Sequence, residues 1–183
     1  MKKPIIFILI WACVFFLYKT FWYMYKADTH FIEAQSYLVR NDTEMAIKLT
    51  DKAVAENPLE PNYYRGRARI YIVTQEDKNK ASEDLRKAYD LNPNNLVTIR
   101  NEIPLYYFLA LKDGSPDSFD ENYFPTAKEF LEINKMRFSH DAGVVALIAK
   151  YEKRLGLVKE YEDSVKMVGG LRPDLLEWHE AFR

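Results

Sequence analysis

Residues 34–58 read AQSYLVRNDTEMAIKLTDKAVAENP, and residues 68–93 read ARIYIVTQEDKNKASEDLRKAYDLNP. Both stretches place an alanine, a tyrosine three positions later, two further alanines seven positions apart and a closing Asn-Pro pair in the same order. The closing prolines, Pro58 and Pro93, lie 35 positions apart. Self-similarity with a period of about 20 to 50 residues is typical of stacked structural repeats. We therefore expect the body of the chain to be a repeat array.

Each repeat has the apolar spacing of short helices. Between residues 42 and 56, apolar side chains recur three, four and seven positions apart, as they do on one face of an α-helix. Asp42 supplies a helix-start signal ahead of this segment. Each Asn-Pro pair ends a helix, because the residue before a proline is pushed out of the α region. The sequence thus predicts an all-α stack of antiparallel helix pairs.

The repeated positions resemble those of the tetratricopeptide repeat (TPR) family, whose period is about 34 residues. In that family, small residues let two helices approach closely, an aromatic residue fills the remaining gap and a proline closes the unit. The matching residues are Ala34, Tyr37, Ala46, Ala53 and Pro58, and again Ala68, Tyr71, Ala81, Ala88 and Pro93. His30 and Tyr64 stand where the family usually has tryptophan. The resemblance implies an α-solenoid of TPR-like antiparallel helix pairs.

This register extends along the chain with decreasing regularity. It predicts repeats at 27–60 and 61–95, degenerate repeats at 96–138 and 139–170, and a capping helix at 171–183. Pro104 is expected to kink or restart the first helix of the third repeat, because proline removes a backbone donor. Residues 113–122 are predicted to be a loop, and Gly169 and Gly170 are expected to end the last helix pair.

The amino-terminal segment is a candidate membrane anchor. Residues 4–25 are apolar apart from Lys19 and Thr20, and as a helix they would span about 33 Å, enough for a hydrocarbon core of about 30 Å. Lys19 can extend its ammonium group to the headgroups. The small residues that signal-peptide cleavage requires do not follow the apolar core. We therefore predict that residues 1–26 form a single retained transmembrane helix and that residues 27–183 form the helical domain.

Two alternatives remain for this segment. The uninterrupted stretch 4–18 is short enough to be the core of a signal peptide. Residues 10–13 faintly resemble a lipobox, which would make Cys13 a lipid-modified cysteine, whereas the simpler interpretation is a thiol buried among lipid chains.

The charges that flank the span predict its orientation. Lys2, Lys3 and the amino terminus precede it, and Lys19 and Lys26 follow with Asp28 close behind. The excess of positive charge favours a cytoplasmic amino terminus. We expect a single-pass membrane protein whose body is extracytoplasmic, and the short lysine-tipped anchor fits a bacterial envelope.

Composition and motifs argue against an enzyme. A single cysteine excludes a disulfide framework and a multi-cysteine zinc site. Residues 27–183 carry 22 basic and 27 acidic residues, and 22 − 27 = −5 argues against nucleic acid as a partner. The phosphate-binding, dinucleotide-binding, zinc-protease and serine-hydrolase motifs do not occur. We predict no catalytic, cofactor-binding or metal-binding residues.

An acidic segment offers the one alternative site. Asp113, Asp117, Asp120 and Glu121 could surround a cation, since hard metals take clustered carboxylates. The spacing does not follow a calcium-binding loop, and Pro116 interrupts it. We therefore interpret the segment as a solvated loop.

The resemblance places a ligand groove on the first helix of each pair. By that register the groove carries Phe31, Gln35, Leu38, Arg65, Arg69 and Ile72, with Arg100 added if the third repeat keeps register. Arg65 and Arg69 are four positions apart, so they share a helix face and could hold a carboxylate or phosphate. The alternative is that these arginines pair with neighbouring acidic residues. Phe31 and Gly66 occupy the positions of the two-carboxylate clamp of chaperone-binding members and do not match it.

An aromatic stripe accompanies this face and is interpreted as core packing. Its members are Tyr63, Tyr64, Tyr71, Tyr106, Tyr107 and Phe108.

These features favour a non-catalytic docking module that holds a protein or peptide ligand, with an acidic group, in its concave groove at a membrane surface. Two alternatives remain open. One is a constitutive structural subunit of a larger cell-envelope or membrane assembly, and the other is an enzyme that uses the acidic loop at residues 113–121.

Overall fold

The computed structural model describes residues 3–182, which are mostly helical. The elements are α1 (Lys3–Val39), α2 (Thr43–Glu56), α3 (Pro61–Thr74), α4 (Lys78–Leu91), α5 (Leu96–Ala110), β1 (Leu111–Lys112), β2 (Ser115–Phe119), α6 (Phe124–Arg137), α7 (Ala142–Arg154), α8 (Val158–Leu171) and α9 (Leu175–Trp178). Lys2 and the side chain of Lys3, which contribute to the predicted orientation signal, lie outside the described part, as does Arg183 of the capping segment.

Acidic and amide side chains define where most of these helices begin. The Asp42 carboxylate accepts a hydrogen bond from the Met45 backbone N–H at the start of α2, and Asp141 accepts one from Val144 at the start of α7. Asp77 and Asn95 cap α4 and α5 in the same way. Such caps satisfy backbone donors that have no partner inside the helix. The start signals in the sequence therefore mark the observed helix boundaries.

The helices pack as consecutive antiparallel pairs, α1 with α2, α3 with α4, α5 with α6 and α7 with α8. The repeated alanines are fully buried. They are Ala34, Ala46, Ala53, Ala68, Ala81 and Ala88, each with 0% exposure. Because a methyl group is the largest side chain that these positions hold, neighbouring backbones approach closely. The predicted all-α solenoid of antiparallel helix pairs is confirmed.

α5 lies at the centre of the main core and does not restart at Pro104. The helix continues from Leu96 to Ala110 with the proline inside it, so the prediction of a restart is wrong. Proline removes only the hydrogen bond to the Arg100 carbonyl. Ile103 and Tyr106 on either side are buried, and the ring of Tyr106 stacks on Phe130 of α6 at 3.9 Å. Packing on both sides of the missing hydrogen bond holds the helix in one piece.

The segment predicted as a loop at residues 113–122 contains part of a β-hairpin. β1 and β2 pair antiparallel, with Leu111 opposite Phe119. Asp113 and Gly114 form the turn with φ values of 52° and 70°. Asp-Gly is a strong signal for tight hairpin turns, because both central residues need positive φ. β1 and β2 are too short to show the alternation of apolar and polar residues that predicts a strand.

α8 runs through Gly169 and Gly170 to Leu171, so the expectation that the glycine pair ends it is wrong. The helix ends where Pro173 approaches, in agreement with the restriction that proline places on the preceding residue. Beyond it, Leu175 is buried against Val145 and Val168, with Phe182 packed beside them. This carboxyl-terminal segment covers the last helix pair.

The candidate anchor and the first helix of the solenoid are one continuous helix. α1 extends from Lys3 to Val39 without interruption, and residues 5–26 are exposed all the way round. Its segment Ile5–Val39 is long and apolar enough to cross a membrane, with a mean hydropathy of 2.1 in its most apolar window. Ala27 is the first buried residue after Ile5. The division at residue 26 remains a prediction, since the backbone does not break there.

We predict that Ala46→Leu destabilises the fold. Ala46 is fully buried between helices, and added methylenes in a packed core cost about 1–3 kcal/mol. Chemical denaturation of the full chain in detergent micelles, followed by circular dichroism, measures the loss. The control is Ala55→Leu on the exposed face of the same helix, which should unfold like the parent. Equal unfolding midpoints for the two variants would contradict the packing described here.

Candidate functional site

The first helices of three pairs line a groove of about 610 Å³ on one side of the solenoid. α1 contributes Phe31 and Gln35, α3 contributes Arg65 and Arg69, and α5 contributes Asn101, Leu105 and Phe108. A smaller cleft of about 330 Å³ shares Arg69, Leu105 and Phe108 and extends the groove toward the hairpin. We call the two together the concave groove. It combines aromatic and aliphatic walls with two arginines.

A close approach of α1 and α3 forms one end of the groove. The rings of Phe31 and Tyr63 lie 5.1 Å apart, and a Cβ at Gly66 would overlap the Phe31 ring. The Tyr63 hydroxyl donates a hydrogen bond of 2.5 Å to the Asp28 carboxylate. Glycine at position 66 is therefore required for the Phe31 ring to occupy its place in the groove wall.

The structure separates the three candidate arginines. Arg100 lies outside the groove, where its guanidinium is 3.2 Å from the Asp141 carboxylate of α7. Arg65 donates from Nη2 to the Asn62 side chain, and its buried Nη1 has no hydrogen-bond partner among the described residues. Arg69 is exposed and forms no salt bridge within residues 3–182. Arg65 and Arg69 thus share the groove, while Arg100 joins two repeats.

Two other candidates lie at its margin or outside it. Ile72 lines the smaller cleft but is 5% exposed and belongs to the main core. Leu38 is half-buried on α1 and does not line the groove. The predicted set is therefore brought together only in part, with Phe31, Gln35, Arg65 and Arg69 converging.

The groove residues of α5 were not predicted from the sequence, because α5 is offset by one residue from the register that places Arg65 and Arg69. Asn101, Leu105 and Phe108 have the same four-and-three spacing as Arg65, Arg69 and Ile72, so Asn101 is the counterpart of Arg65. At 3.6 residues per turn, a shift of one position rotates a side chain by about 100°. This rotation turns Arg100 away from the groove. Phe108, interpreted as packing, is 44% exposed and forms part of the wall, whereas the tyrosines of the stripe are buried.

Glu102, next to the groove residue Asn101, is a buried carboxyl that sequence reasoning did not identify. It is 0% exposed, and neither of its carboxyl oxygens has a hydrogen-bond partner among the described residues. Burial raises the pKa of Glu102 to about 8, and the positive charge of Arg65 opposes this rise. Burial also lowers the pKa of Arg65, with Glu102 acting against it. Burial therefore favours the neutral form of Glu102 next to a groove arginine.

The acidic segment offers no open carboxylate cluster. Asp120 Oδ2 lies 3.1 Å from the Lys78 ammonium group, which also donates to the Leu111 carbonyl. These contacts join α4 to the hairpin and give Asp120 a structural role. Across the described residues, no three His, Cys, Asp or Glu side chains are placed to hold a metal ion.

Helix pairs stacked around a concave groove are the architecture of TPR proteins, and solved structures, one of them described as a TPR protein, resemble the chain. The MamA fragment from residue 41 to the end, from Desulfovibrio magneticus RS-1, is 15% identical with a TM-score of 0.53, over 86% of this chain and 81% of that one. TTC0263, a TPR protein of Thermus thermophilus, is 19% identical with a TM-score of 0.53, over 85% of this chain and 79% of that one. The predicted TPR-like α-solenoid is confirmed, and one long apolar helix is present where the sequence predicts a transmembrane helix.

No protein-family model matches the chain, and no curated protein matches it. At the identities found for the solved structures, the likeness is one of fold.

We predict that the buried carboxyl makes stability fall as the pH rises. The pKa of Glu102 is higher in the folded chain, about 8, than its ordinary value of 4.5. A group of this kind stabilises the fold below its unfolded pKa and loses that contribution as the pH rises through the folded pKa. Melting temperatures measured between pH 5 and pH 9 should therefore fall in the parent, whereas Glu102→Gln should flatten the profile. Glu129→Gln, an exposed control on α6, should follow the parent. Parallel profiles for parent and Glu102→Gln would show that Glu102 does not titrate between the two states.

Proposed function

We propose that this protein is a membrane-anchored docking module that holds a protein or peptide ligand in the concave groove. The amino-terminal part of α1 is the anchor, and the solenoid is the ligand-binding body. The observation that carries the proposal is that exposed Phe108 and Arg69, which forms no salt bridge among the described residues, line the same groove built by three helices.

The chemistry of the groove favours a ligand that carries a carboxylate. Arg69 forms no salt bridge within the described residues, and Arg65 lines the same groove one helical turn away. Guanidinium groups bind carboxylates through charge-assisted hydrogen bonds, which are stronger than neutral ones. Phe31, Leu105 and Phe108 supply apolar contact on either side. A short peptide segment with an acidic residue flanked by apolar residues fits these features.

The apolar surface of α1 supports the anchor. Side chains from Ile5 to Tyr25 are exposed, and a large continuous apolar surface of this kind marks a membrane or an interaction site. Trp22, Tyr23 and Tyr25 stand at the body end of the span, where aromatic residues favour the membrane interface. With the amino terminus in the cytoplasm, the body of net charge −5 lies outside the membrane, in a bacterial envelope. Anchoring confines the search for membrane-associated ligands and raises their effective concentration.

Photo-crosslinking tests the groove. A benzophenone amino acid at Phe108 should give discrete adducts in native membranes, and the same probe at Lys48 on the exposed face of α2 should not. Arg69→Glu should reduce the Phe108 adduct about tenfold or more, because a charge-assisted hydrogen bond contributes about 1.5–3 kcal/mol. The matched control, Lys52→Glu on the exposed face of α2, should leave it unchanged.

Two outcomes would contradict the docking proposal. An adduct that survives Arg69→Glu at full yield would show that the arginine is ordinary surface. A purified complex far above the mass of a monomer, insensitive to salt and with the groove always occupied, would instead favour a constitutive structural subunit.

Cysteine labelling tests the orientation. In a Cys13→Ala background, Val39→Cys places one thiol on the far end of α1, where Val39 is 84% exposed. A membrane-impermeant maleimide should label this thiol in right-side-out vesicles of the cytoplasmic membrane and should fail to label it in inside-out vesicles. The reverse pattern would place the body in the cytoplasm.

A further inference from the structure

The anchor helix carries its apolar surface directly into the body, with no linker between them. Residues 5–25 span about 32 Å at 1.5 Å per residue, close to the thickness of a hydrocarbon core of about 30 Å. Ala27, two residues further on, is already fully buried against Ala53 and Tyr63. If α1 spans the membrane as proposed above, the first repeat begins at the headgroups.

Contacts with α1 define the position, along the α1 axis, of the turn between α2 and α3. His30 Nδ1 lies 2.9 Å from Glu56 Oε2, so the last residue of α2 is level with residue 30. The Tyr63 hydroxyl reaches Asp28, which fixes the first turn of α3 at the same level. Because α2 runs antiparallel to α1, the chain after Glu56 continues toward the level of residues 26–28. The turn at residues 57–60 is therefore level with the end of the apolar span.

This turn carries an exposed leucine that its counterpart in the next repeat lacks. Leu59 follows Pro58 and is 75% exposed. The residue that follows Pro93 in the next repeat is Asn94. The acidic residues around Leu59 are engaged within the protein: Glu56 contacts His30, and the Glu60 carboxylate accepts from the Asn62 backbone N–H at 3.0 Å. The turn that is level with the end of the anchor thus exposes an apolar side chain, Leu59.

We propose that the turn at residues 57–60 rests on the bilayer and that Leu59 inserts into its headgroup region. The inference rests on the proposed membrane anchor. Headgroups extend about 5–7 Å beyond the hydrocarbon core on each side, which covers about four residues of α1 beyond Tyr25. The level of the turn falls within this zone. Leu59 is then a second membrane contact, and together with α1 it fixes the tilt of the solenoid and the direction in which the concave groove opens.

Depth-dependent fluorescence tests this contact in the full chain. In the Cys13→Ala background, Leu59→Cys and Val39→Cys are each labelled with an environment-sensitive fluorophore and reconstituted into phosphatidylcholine vesicles. The two residues are similarly exposed, but Val39 lies at the opposite end of the first repeat. The probe at residue 59 should emit at shorter wavelength and should be quenched several-fold more strongly by a shallow nitroxide-labelled lipid than the probe at residue 39.

The outcomes separate this inference from the anchor on which it rests. A chain that resists carbonate extraction, with a residue-59 probe as aqueous as the residue-39 probe, would overturn the headgroup contact and leave the anchor intact. A chain released by carbonate would overturn both. A blue-shifted residue-59 probe that lipid nitroxide does not quench would mean that protein, such as a second copy of the chain, covers the turn, and this would also overturn the proposal.

Discussion

The architecture depends on helices that approach one another at alanine. Where Ala46, Ala53, Ala81 and Ala88 are fully buried, the helices of a pair and of adjacent pairs can pack backbone against backbone. A larger side chain at any of these positions would push the helices apart, because cores are packed as densely as organic crystals. The spacing between helices then sets the curvature of the stack and so the width of the concave groove. The groove is thus a consequence of small residues that lie some distance from it.

Beneath the groove, the packing that defines α5 also buries a carboxyl group without hydrogen-bond partners. Glu102 stays neutral because burial disfavours its charge, and Arg65 beside it keeps one N–H group unused. Buried polar groups without partners are rare in proteins, since each costs about 1–3 kcal/mol. Glu102 and Arg65, which carry these unpartnered groups, lie at the boundary between the core and the groove. A ligand carboxylate bound to Arg65 would therefore change the electrostatic surroundings of Glu102. Gln35, Arg65 and Glu102, which lie in or next to the candidate site, are three of the five described side chains with a buried polar atom that has no hydrogen-bond partner; Tyr89 and Asn134 are the others.

The sequence predicted those parts of the fold in which the spacing of residues follows directly from the geometry of the repeat. Alanines seven positions apart and the prolines Pro58 and Pro93 mark the repeats, because small residues and helix ends must recur with the unit. Phe31, Gln35, Arg65 and Arg69 followed from the same register. The α5 contribution did not, since a one-residue offset rotates each side chain to a different face. The burial of Glu102 could not be predicted because it depends on how three helices meet in space, which no local pattern expresses.

α1 continues through residue 26 without a break. If its amino-terminal part is the proposed anchor, this continuity fixes both the distance and the angle between the membrane span and the body. In a straight helix, each side chain points in a fixed direction around the helix axis. The directions of the side chains in the anchor segment are therefore fixed relative to those of Phe31 and Gln35 in the groove wall. Inserting or deleting one residue between the two would turn the body by about 100° relative to the span. A transmembrane neighbour that packs on one stripe of α1 would therefore determine toward which side of itself the groove opens. If α1 is the membrane anchor proposed above, the number of residues in the helix sets the direction in which the concave groove opens in the membrane plane.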